Sequence, residues 1–176
     1  TEMLLGPIIF KKSQGFLYHF QMLDMLAIQG VEFGTLNYKN PILNNAANLA
    51  YSKNAYKNVD GFDKFNTPSG DDVFLLEKFT SKNNIVKGLL RKDFIVETAS
   101  ENTLSGFLNQ RLRWSSKAKY YKSKLLLFFS SIILMQNLSL VFVYFGIPLV
   151  EKYRLILIIL LCSKWLIDFI LLFLVA

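Results

Sequence analysis

The sequence contains one cysteine, Cys162, and one histidine, His19, among its 176 residues. A single cysteine excludes an internal disulfide framework and a zinc site that needs several thiolates. The single histidine cannot form a metal site by itself, and Cys162 lies within a long apolar stretch. Disulfide-stapled domains and thiolate zinc modules are therefore excluded.

The first residues of the chain lack the basic segment and apolar core of a signal peptide. Low-complexity segments and internal repeats are also missing. The opening segment does not resemble the natural start of a domain. We therefore expect this chain to be the C-terminal part of a longer protein.

Acidic residues are absent from 111–124, although this segment carries six cations of a chain whose formal net charge is +7. The six are Arg111, Arg113, Lys117, Lys119, Lys122 and Lys124. A basic balance can indicate nucleic-acid binding, but no groove-reading or base-stacking motif accompanies it. Cations immediately before a long apolar run are typical of the cytoplasmic flank of a membrane helix.

Two apolar runs follow the basic segment. Residues 125–150 carry no charge, and a hydrocarbon core requires about 20 apolar residues. Residues 155–176 are interrupted by Lys164 and Asp168, which lie four apart on one helix face and can neutralise each other. The alternative is that this pair lines a passage or contacts lipid headgroups. Both runs are predicted to cross the membrane as a hairpin. Because the cations precede the first run, the preceding part of the chain is expected in the cytoplasm.

The part before the basic segment has the mixed pattern of an α/β protein. Strands are predicted at Leu4–Phe10 with a break at Gly6-Pro7, and at Val31–Tyr38, Leu49–Tyr51, Ile85–Leu90 and Phe94–Thr98. These strands are too few to complete a sheet. Part of the layer is therefore expected to lie outside this sequence.

Helices alternate with these strands. A first helix is predicted from a cap at Ser13 to about Gln29, with Gly30 as its stop, because four apolar residues repeat at helical spacing. These four are Phe16, Phe20, Leu23 and Ala27. Further helices are predicted for Lys53–Asn58, capped by Ser52, from Asp71 through Phe79, and from Thr103 into the basic segment.

The first candidate site is the acidic pair Asp71-Asp72, which follows Ser69-Gly70 at a loop-to-helix junction. One interpretation is structural, because free N–H groups and the helix dipole stabilise acids in a first helical turn. The other is catalytic. Mutual repulsion tends to raise the pKa of one carboxylate, and a positioned carboxylate can accept a proton from a nucleophilic hydroxyl.

The second candidate site is the Q-x-x-R-W pattern of 110–114. On a helix Gln110, Arg113 and Trp114 share one face, while Arg111 is expected to point elsewhere. Arg113 could hold a diphosphate through paired hydrogen bonds, and Trp114 could stack on a sugar ring. The alternative is an interfacial helix with an aromatic anchor and snorkelling cations.

Together, an acidic pair, a later Q-x-x-R-W helix and membrane spans resemble the membrane-integrated family 2 glycosyltransferases. That group includes the synthases of cellulose, chitin, hyaluronan and poly-N-acetylglucosamine, and ceramide glucosyltransferase. The segment Asn45–Tyr51 is similar to the family's Asn-Gly-Ala-Asn-hydrophobic-Ala-Tyr segment, and Val59–Phe62 to its Val-x-Gly-Phe turn. The resemblance covers nearly the whole chain.

This resemblance assigns roles to the acidic pair and to two asparagines. Asp72 matches the aspartate of the family's Thr-Glu-Asp segment, which implies that it is the catalytic base for the acceptor hydroxyl. Asp71 takes the place of the glutamate and is a substrate-binding candidate. Asn45 and Asn48 are candidates for contacting the acceptor or shaping its loop.

The same resemblance assigns roles to the later motif. Gln110, Arg113 and Trp114 are implied to contact the donor diphosphate and the acceptor sugar. The family's donor site also needs an upstream nucleotide-binding half with an Asp-x-Asp that holds a divalent metal. No two aspartates of this chain lie two apart. We therefore expect Mg²⁺ or Mn²⁺ in the full-length enzyme on ligands outside this sequence, and no activity from this chain alone.

The resemblance implies four regions. Residues 1–102 would be the C-terminal half of a GT-A catalytic domain and 103–124 an interfacial amphipathic helix. Residues 125–150 and 155–176 would be transmembrane helices.

The expected protein is an integral membrane enzyme, with a bacterial inner membrane favoured. It would transfer a sugar with inversion from a nucleotide-sugar, with a UDP-sugar favoured, to a glycan or lipid acceptor at the cytoplasmic face. Processive synthesis and single transfer both remain open. A non-catalytic membrane protein with structural motifs and a small transporter piece are the alternatives.

Overall fold

The computed structural model divides the chain into two compact units, Thr1–Ser123 and Lys124–Ala176, and each is described by itself. The residues described are 1–36, 41–62, 71–116, 120–121, 123–146 and 151–175. Some predicted features lie outside these residues, namely Tyr38, Ser69, Gly70, Lys117, Lys119, Lys122, Val150 and Ala176.

In the described residues of the first unit, five short strands form two small sheets. They are β1 (Met3–Leu5), β2 (Ile8–Phe10), β3 (Leu49–Tyr51), β4 (Val86–Gly88) and β5 (Val96–Thr98). β1 lies between β3, which is antiparallel to it, and β4, which is parallel, whereas β2 pairs in parallel with β5. The mixed α/β class and the break at Gly6-Pro7 are therefore confirmed.

Among the described residues of the first unit, four α-helices accompany the strands, and the helix that was predicted to begin at the Ser52 cap does so. They are α1 (Phe16–Gly34), α2 (Lys53–Asn58), α3 (Asp71–Ser81) and α4 (Leu104–Ser115). The Ser52 hydroxyl accepts a hydrogen bond from the Ala55 N–H at 3.2 Å, and the Thr103 hydroxyl accepts one from the Gly106 N–H at 3.1 Å. Both caps satisfy N–H groups that a first helical turn leaves without a partner.

α4 enters the basic segment as predicted but ends at Ser115, so the prediction that this helix carries the whole basic segment is wrong at Ser116. The Ser115 and Ser116 hydroxyls donate to the carbonyls of Leu112 and Arg113, at 3.1 and 2.8 Å. Consecutive serines that bond back to the helix compete with its regular hydrogen bonds. The local sequence thus explains the early stop.

Both predicted ends of α1 are wrong. The cap is Gly15, with φ of 99°, and Ser13 lies outside the helix. At the other end the helix passes through Gly30 to Gly34, so the strand predicted from Val31 is wrong over its first four residues. Packing of the later turns against the rest of the unit overrides the weak local stop signal of a glycine.

The orientation of α1 reverses the expectation that its apolar stripe faces the core. Its buried side chains are Gln21, Met25, Gln29 and Glu32, which repeat at helical spacing. Phe16, Phe20, Leu23 and Ala27 form the opposite, exposed face. The buried face is therefore largely polar and needs hydrogen bonds.

Two glutamines of this buried face have such bonds. The Gln21 side-chain amide donates to the Glu101 carbonyl at 2.9 Å and accepts from the Glu101 N–H at 3.0 Å. The Gln29 amide accepts from the Ile8 N–H at 2.8 Å and donates to the Ile8 carbonyl at 2.9 Å. Gln29 thus occupies the Ile8 backbone groups of β2, while the neighbouring Pro7 carbonyl accepts from Val96 of β5.

The larger core lies between β1, α2 and α3. It consists of Met3, Leu5, Ala55, Val59, Leu75, Leu76 and Phe79. A smaller cluster is formed by Ile8 and Phe10 of β2 with Met25 of α1, and Trp114 of α4 packs against it. The sheets and helices of this unit therefore hold both candidate motifs on packed elements.

The second unit contains α5 (Lys124–Gly146), a 3-10 helix (Glu151–Tyr153) and α6 (Arg154–Val175). Among the described helices, α5 is the one that is long and apolar enough to cross a membrane, over Leu126–Phe145. In α6 the predicted pairing of Lys164 with Asp168 is confirmed as an ion pair.

Candidate functional site

The carboxylate of Asp72 links the start of α3 to the asparagine-rich segment. One carboxylate oxygen, Oδ1, accepts from the Val73 N–H at 2.9 Å, and the other, Oδ2, accepts from the Ala46 N–H at 3.3 Å. The Asn44 side-chain amide donates to the Asp72 carbonyl at 3.2 Å. The structure therefore brings Asp72 and the predicted Asn45 segment together, although they are well separated in sequence.

Asp71 begins the same helix but is exposed, whereas Asp72 is half-buried. Both acids lie in the first turn, where the N-terminal N–H groups favour negative charge. The exposed position of Asp71 is consistent with both the structural and the catalytic interpretation of the pair. The hydrogen bonds of Asp72, in contrast, fix the position of its carboxylate.

Glu32 is a buried acid near Asp72 that the sequence motifs do not reveal. Its side chain is 1% exposed, and neither carboxyl oxygen makes a hydrogen bond of normal geometry among the described residues. Burial raises the pKa of Glu32 to about 8, the Asn45 N–H opposes this shift, and repulsion from Asp72 adds to it. Glu32 is therefore neutral at pH 7.

Tyr121 also responds to the charge of Asp72. Burial raises the pKa of Tyr121, and the nearby carboxylates of Asp72 and Glu77 raise it further. Its ring contacts Phe74 of α3, with the centroids 5.9 Å apart. Glu32 and Tyr121 were missed because neither belongs to a motif, and only the fold brings them near Asp72.

The two predicted asparagines shape the loop around the site. The Asn45 side-chain oxygen accepts from the Ala47 N–H at 2.9 Å, which caps the 3-10 turn Ala46–Asn48. The Asn48 amide nitrogen donates to the Pro7 carbonyl at 2.8 Å and to the Phe94 carbonyl at 2.6 Å. Asn48 thus joins the β1–β2 break to the residues before β5.

Replacing Asn48 with alanine is expected to destabilise the first unit by about 1–3 kcal/mol, because two carbonyls lose their shared donor. Asn45→Ala is the matched control and removes one local cap, at a cost of about 1 kcal/mol. Chemical unfolding followed by fluorescence measures both. Equal stability of the parent and the Asn48 variant would show that the bridge contributes nothing.

On α4 the structure changes the predicted grouping of the Q-x-x-R-W residues. The Arg111 guanidinium lies over the Trp114 ring at 4.2 Å and over the Phe107 ring at 4.8 Å. Arg111 was expected to point elsewhere, and that prediction is wrong. Phe107, Arg111 and Trp114 recur every three to four residues and share the face that meets α1.

Arg111 also forms an ion pair with Asp24 of α1. Burial lowers the pKa of Arg111 and raises that of Asp24, and the attraction between the two charges opposes both shifts. A guanidinium that stacks on two aromatic rings and pairs with a carboxylate stabilises the contact between α1 and α4. Its first role is therefore structural.

The other members of the motif differ in exposure. Arg113 is exposed, and Gln110 is half-buried, with its amide 3.4 Å from a Glu101 carboxylate oxygen. Trp114 is half-buried, with one ring face covered by Arg111. The exposed guanidinium of Arg113 can bind an anionic group.

A metal site is not evident in the described part of the chain, where no three His, Cys, Asp or Glu residues are grouped to hold an ion. The expectation that the metal ligands lie outside this sequence stays a prediction. Comparison of the chain with protein-family models, with curated proteins and with solved structures gives no match.

Proposed function

We propose that this chain is the C-terminal part of a membrane-bound glycosyltransferase of the family 2, GT-A type. The observation that carries the proposal is the placement of Asp72 beside the asparagine-rich segment. Backbone N–H groups of Val73 and Ala46 orient its two carboxylate oxygens. These are the parts of the chain that resemble the catalytic segments of that family.

In the proposed reaction Asp72 accepts the proton of the acceptor hydroxyl while that oxygen attacks the anomeric carbon of a nucleotide-sugar. The bond to the diphosphate breaks on the opposite face of the sugar, so the configuration inverts. Nucleoside diphosphate leaves, and the acceptor oxygen forms the new glycosidic bond. A UDP-sugar is the favoured donor, and a glycan or a lipid is the acceptor.

The exposed Arg113 and the half-buried Gln110 supply polar groups for the donor diphosphate in this proposal. Trp114, which is half-buried and stacked against Arg111, is the residue that contacts the acceptor sugar in this proposal. A protonated Glu32 beside Asp72 avoids a second buried negative charge next to the base. The divalent metal would stabilise the leaving diphosphate from ligands upstream of this sequence.

The long apolar helix α5 supports a membrane location for this enzyme. We propose that α6 is a second span. We also propose that the first unit lies on the cytoplasmic side, because cations next to a membrane helix favour that side. A bacterial inner membrane fits this arrangement.

Release of nucleoside diphosphate from a panel of UDP-sugars tests the proposal, using the full-length protein in lipid nanodiscs. We expect release that depends on one donor, on an added glycan or lipid acceptor, and on Mg²⁺ or Mn²⁺. If no sugar-nucleotide supports release above that of empty nanodiscs, the motifs are structural and the protein is a non-catalytic membrane protein.

A further inference from the structure

The outward face of α1 is apolar, whereas its core-facing side is largely polar. Phe16, Phe20 and Leu23 are exposed, with Phe16 86% accessible, while Gln29 and Glu32 are buried. A surface helix of a water-soluble domain has the opposite arrangement, with its apolar stripe toward the core. The outer face of α1 is therefore suited to an apolar environment.

A second apolar stripe lies on α4. Leu104, Leu108 and Leu112 recur every four residues and are all exposed, with Leu112 67% accessible. They flank the seam of Phe107, Arg111 and Trp114 that contacts α1. This stripe lies outside the packed contact of the two helices.

Aromatic contacts connect the α1 stripe to Phe107 in the seam that the α4 stripe flanks. The rings of Phe16 and Phe20 stack with centroids 6.3 Å apart, and Phe20 meets the edge of Phe107 at 5.7 Å. We call the combined set the apolar surface. It consists of Phe16, Phe20, Leu23, Leu104, Leu108 and Leu112.

Chain connectivity favours a lipid bilayer as the occupant of this surface. α4 ends at Ser115 and α5 begins at Lys124, so eight residues connect them. Eight extended residues reach at most about 29 Å. If α5 spans a membrane, the end of α4 stays within that distance of the bilayer surface.

Charge supports the same occupant. The segment 111–124 holds no acid and six cations, of which Arg111 is paired with Asp24, and the exposed Lys11 and Lys12 precede α1. Anionic headgroups attract such cations, each by about 1 kcal/mol near the surface. An apolar surface bordered by cations is the pattern of a helix that lies in the membrane interface.

We propose that the apolar surface rests in the membrane interface, so that α1 as well as α4 seats the first unit on the bilayer. The amphipathic segment alone predicted contact through α4, whereas the reversed orientation of α1 extends the contact to a second helix. This proposal does not depend on transferase activity.

Site-specific labelling in nanodiscs tests the proposal, because the chain has one native cysteine. In the full-length protein, with Cys162 and every native cysteine outside this sequence replaced by serine, single cysteines replace Leu23 or Leu108 and carry the polarity-sensitive dye NBD. We expect a blue-shifted emission that is quenched by doxyl groups placed near the headgroups of phosphatidylcholine–phosphatidylglycerol bilayers. Lys57→Cys on α2 is the matched control and should show aqueous emission without quenching.

Two results would overturn the proposal. Aqueous emission from the labels on α1 would show that this helix faces water. Blue-shifted emission without quenching by the lipid-borne groups would show that protein covers the surface, either a second copy or another segment of the same chain. Phe16→Cys and Leu112→Cys provide a second label on each helix if a first variant does not fold.

Discussion

The Asp72→Asn variant of the full-length protein is expected to lose transfer by about 10²–10⁴-fold, because an amide cannot accept the proton of the acceptor hydroxyl. Its remaining side-chain oxygen can still accept from the Val73 N–H, which preserves one of the two backbone contacts. Donor binding should change little, since Asp72 acts on the acceptor. Transfer rates and the KM for the donor, measured in nanodiscs, separate these effects.

Asp93→Asn is the control for this variant. Asp93 is an exposed aspartate that pairs with Arg91 at the surface, so its replacement tests the loss of one carboxylate without a change near α3. The control should retain the parent rate. Turnover of the Asp72 variant at the parent rate would remove Asp72 from the role of base and leave the structural interpretation of the acidic pair.

The second large effect concerns stability against pH. Because the pKa of Glu32 is raised to about 8 in the folded protein, the unfolded chain releases this proton at lower pH than the folded one. The stabilisation that protonated Glu32 gives the folded protein is complete below the pKa that Glu32 has in the unfolded chain. It is lost as pH rises toward 8. The free energy of unfolding should therefore fall between about pH 5 and 8, by up to ~1.4 kcal/mol per pH unit.

Glu32→Gln keeps the shape of the side chain and removes its ionisation. We expect the variant to lose most of this pH dependence and to be more stable than the parent at pH 8. Glu97→Gln is the matched control, since Glu97 is exposed on β5. In a Trp165→Phe background, Trp114 is the remaining tryptophan of the chain and reports the unfolding of the first unit by fluorescence. A variant whose stability tracks the parent at every pH would contradict the raised pKa.

The short elements of the first unit were predictable because local chemistry determines them. Ser52 caps α2, and Thr103 caps α4, through hydroxyls placed three residues before the N–H groups that they accept from. The break at Gly6-Pro7 also follows from local geometry, and a Cβ on Gly6 would clash with the Asn48 side chain. Caps and breaks act within a few residues, so the sequence shows them directly.

Features that depend on tertiary contacts were not predictable. The apolar periodicity of α1 correctly indicated a helix, but its buried face contains Gln21 and Gln29, whose partners Glu101 and Ile8 are distant in sequence. The stacking of Arg111 on Trp114 likewise depends on Asp24 of another helix. Glu32 and Asp72 come close only in the folded chain, so no motif or regular spacing in the sequence indicates that they interact.

The amide of Gln29 has a consequence for assembly. An exposed strand edge offers unpaired N–H and carbonyl groups on which another chain can add a strand. At Ile8 both groups are occupied by the Gln29 side chain, which imitates a peptide unit. A strand of another chain that approached this side of β2 would therefore find both Ile8 groups already bonded to α1.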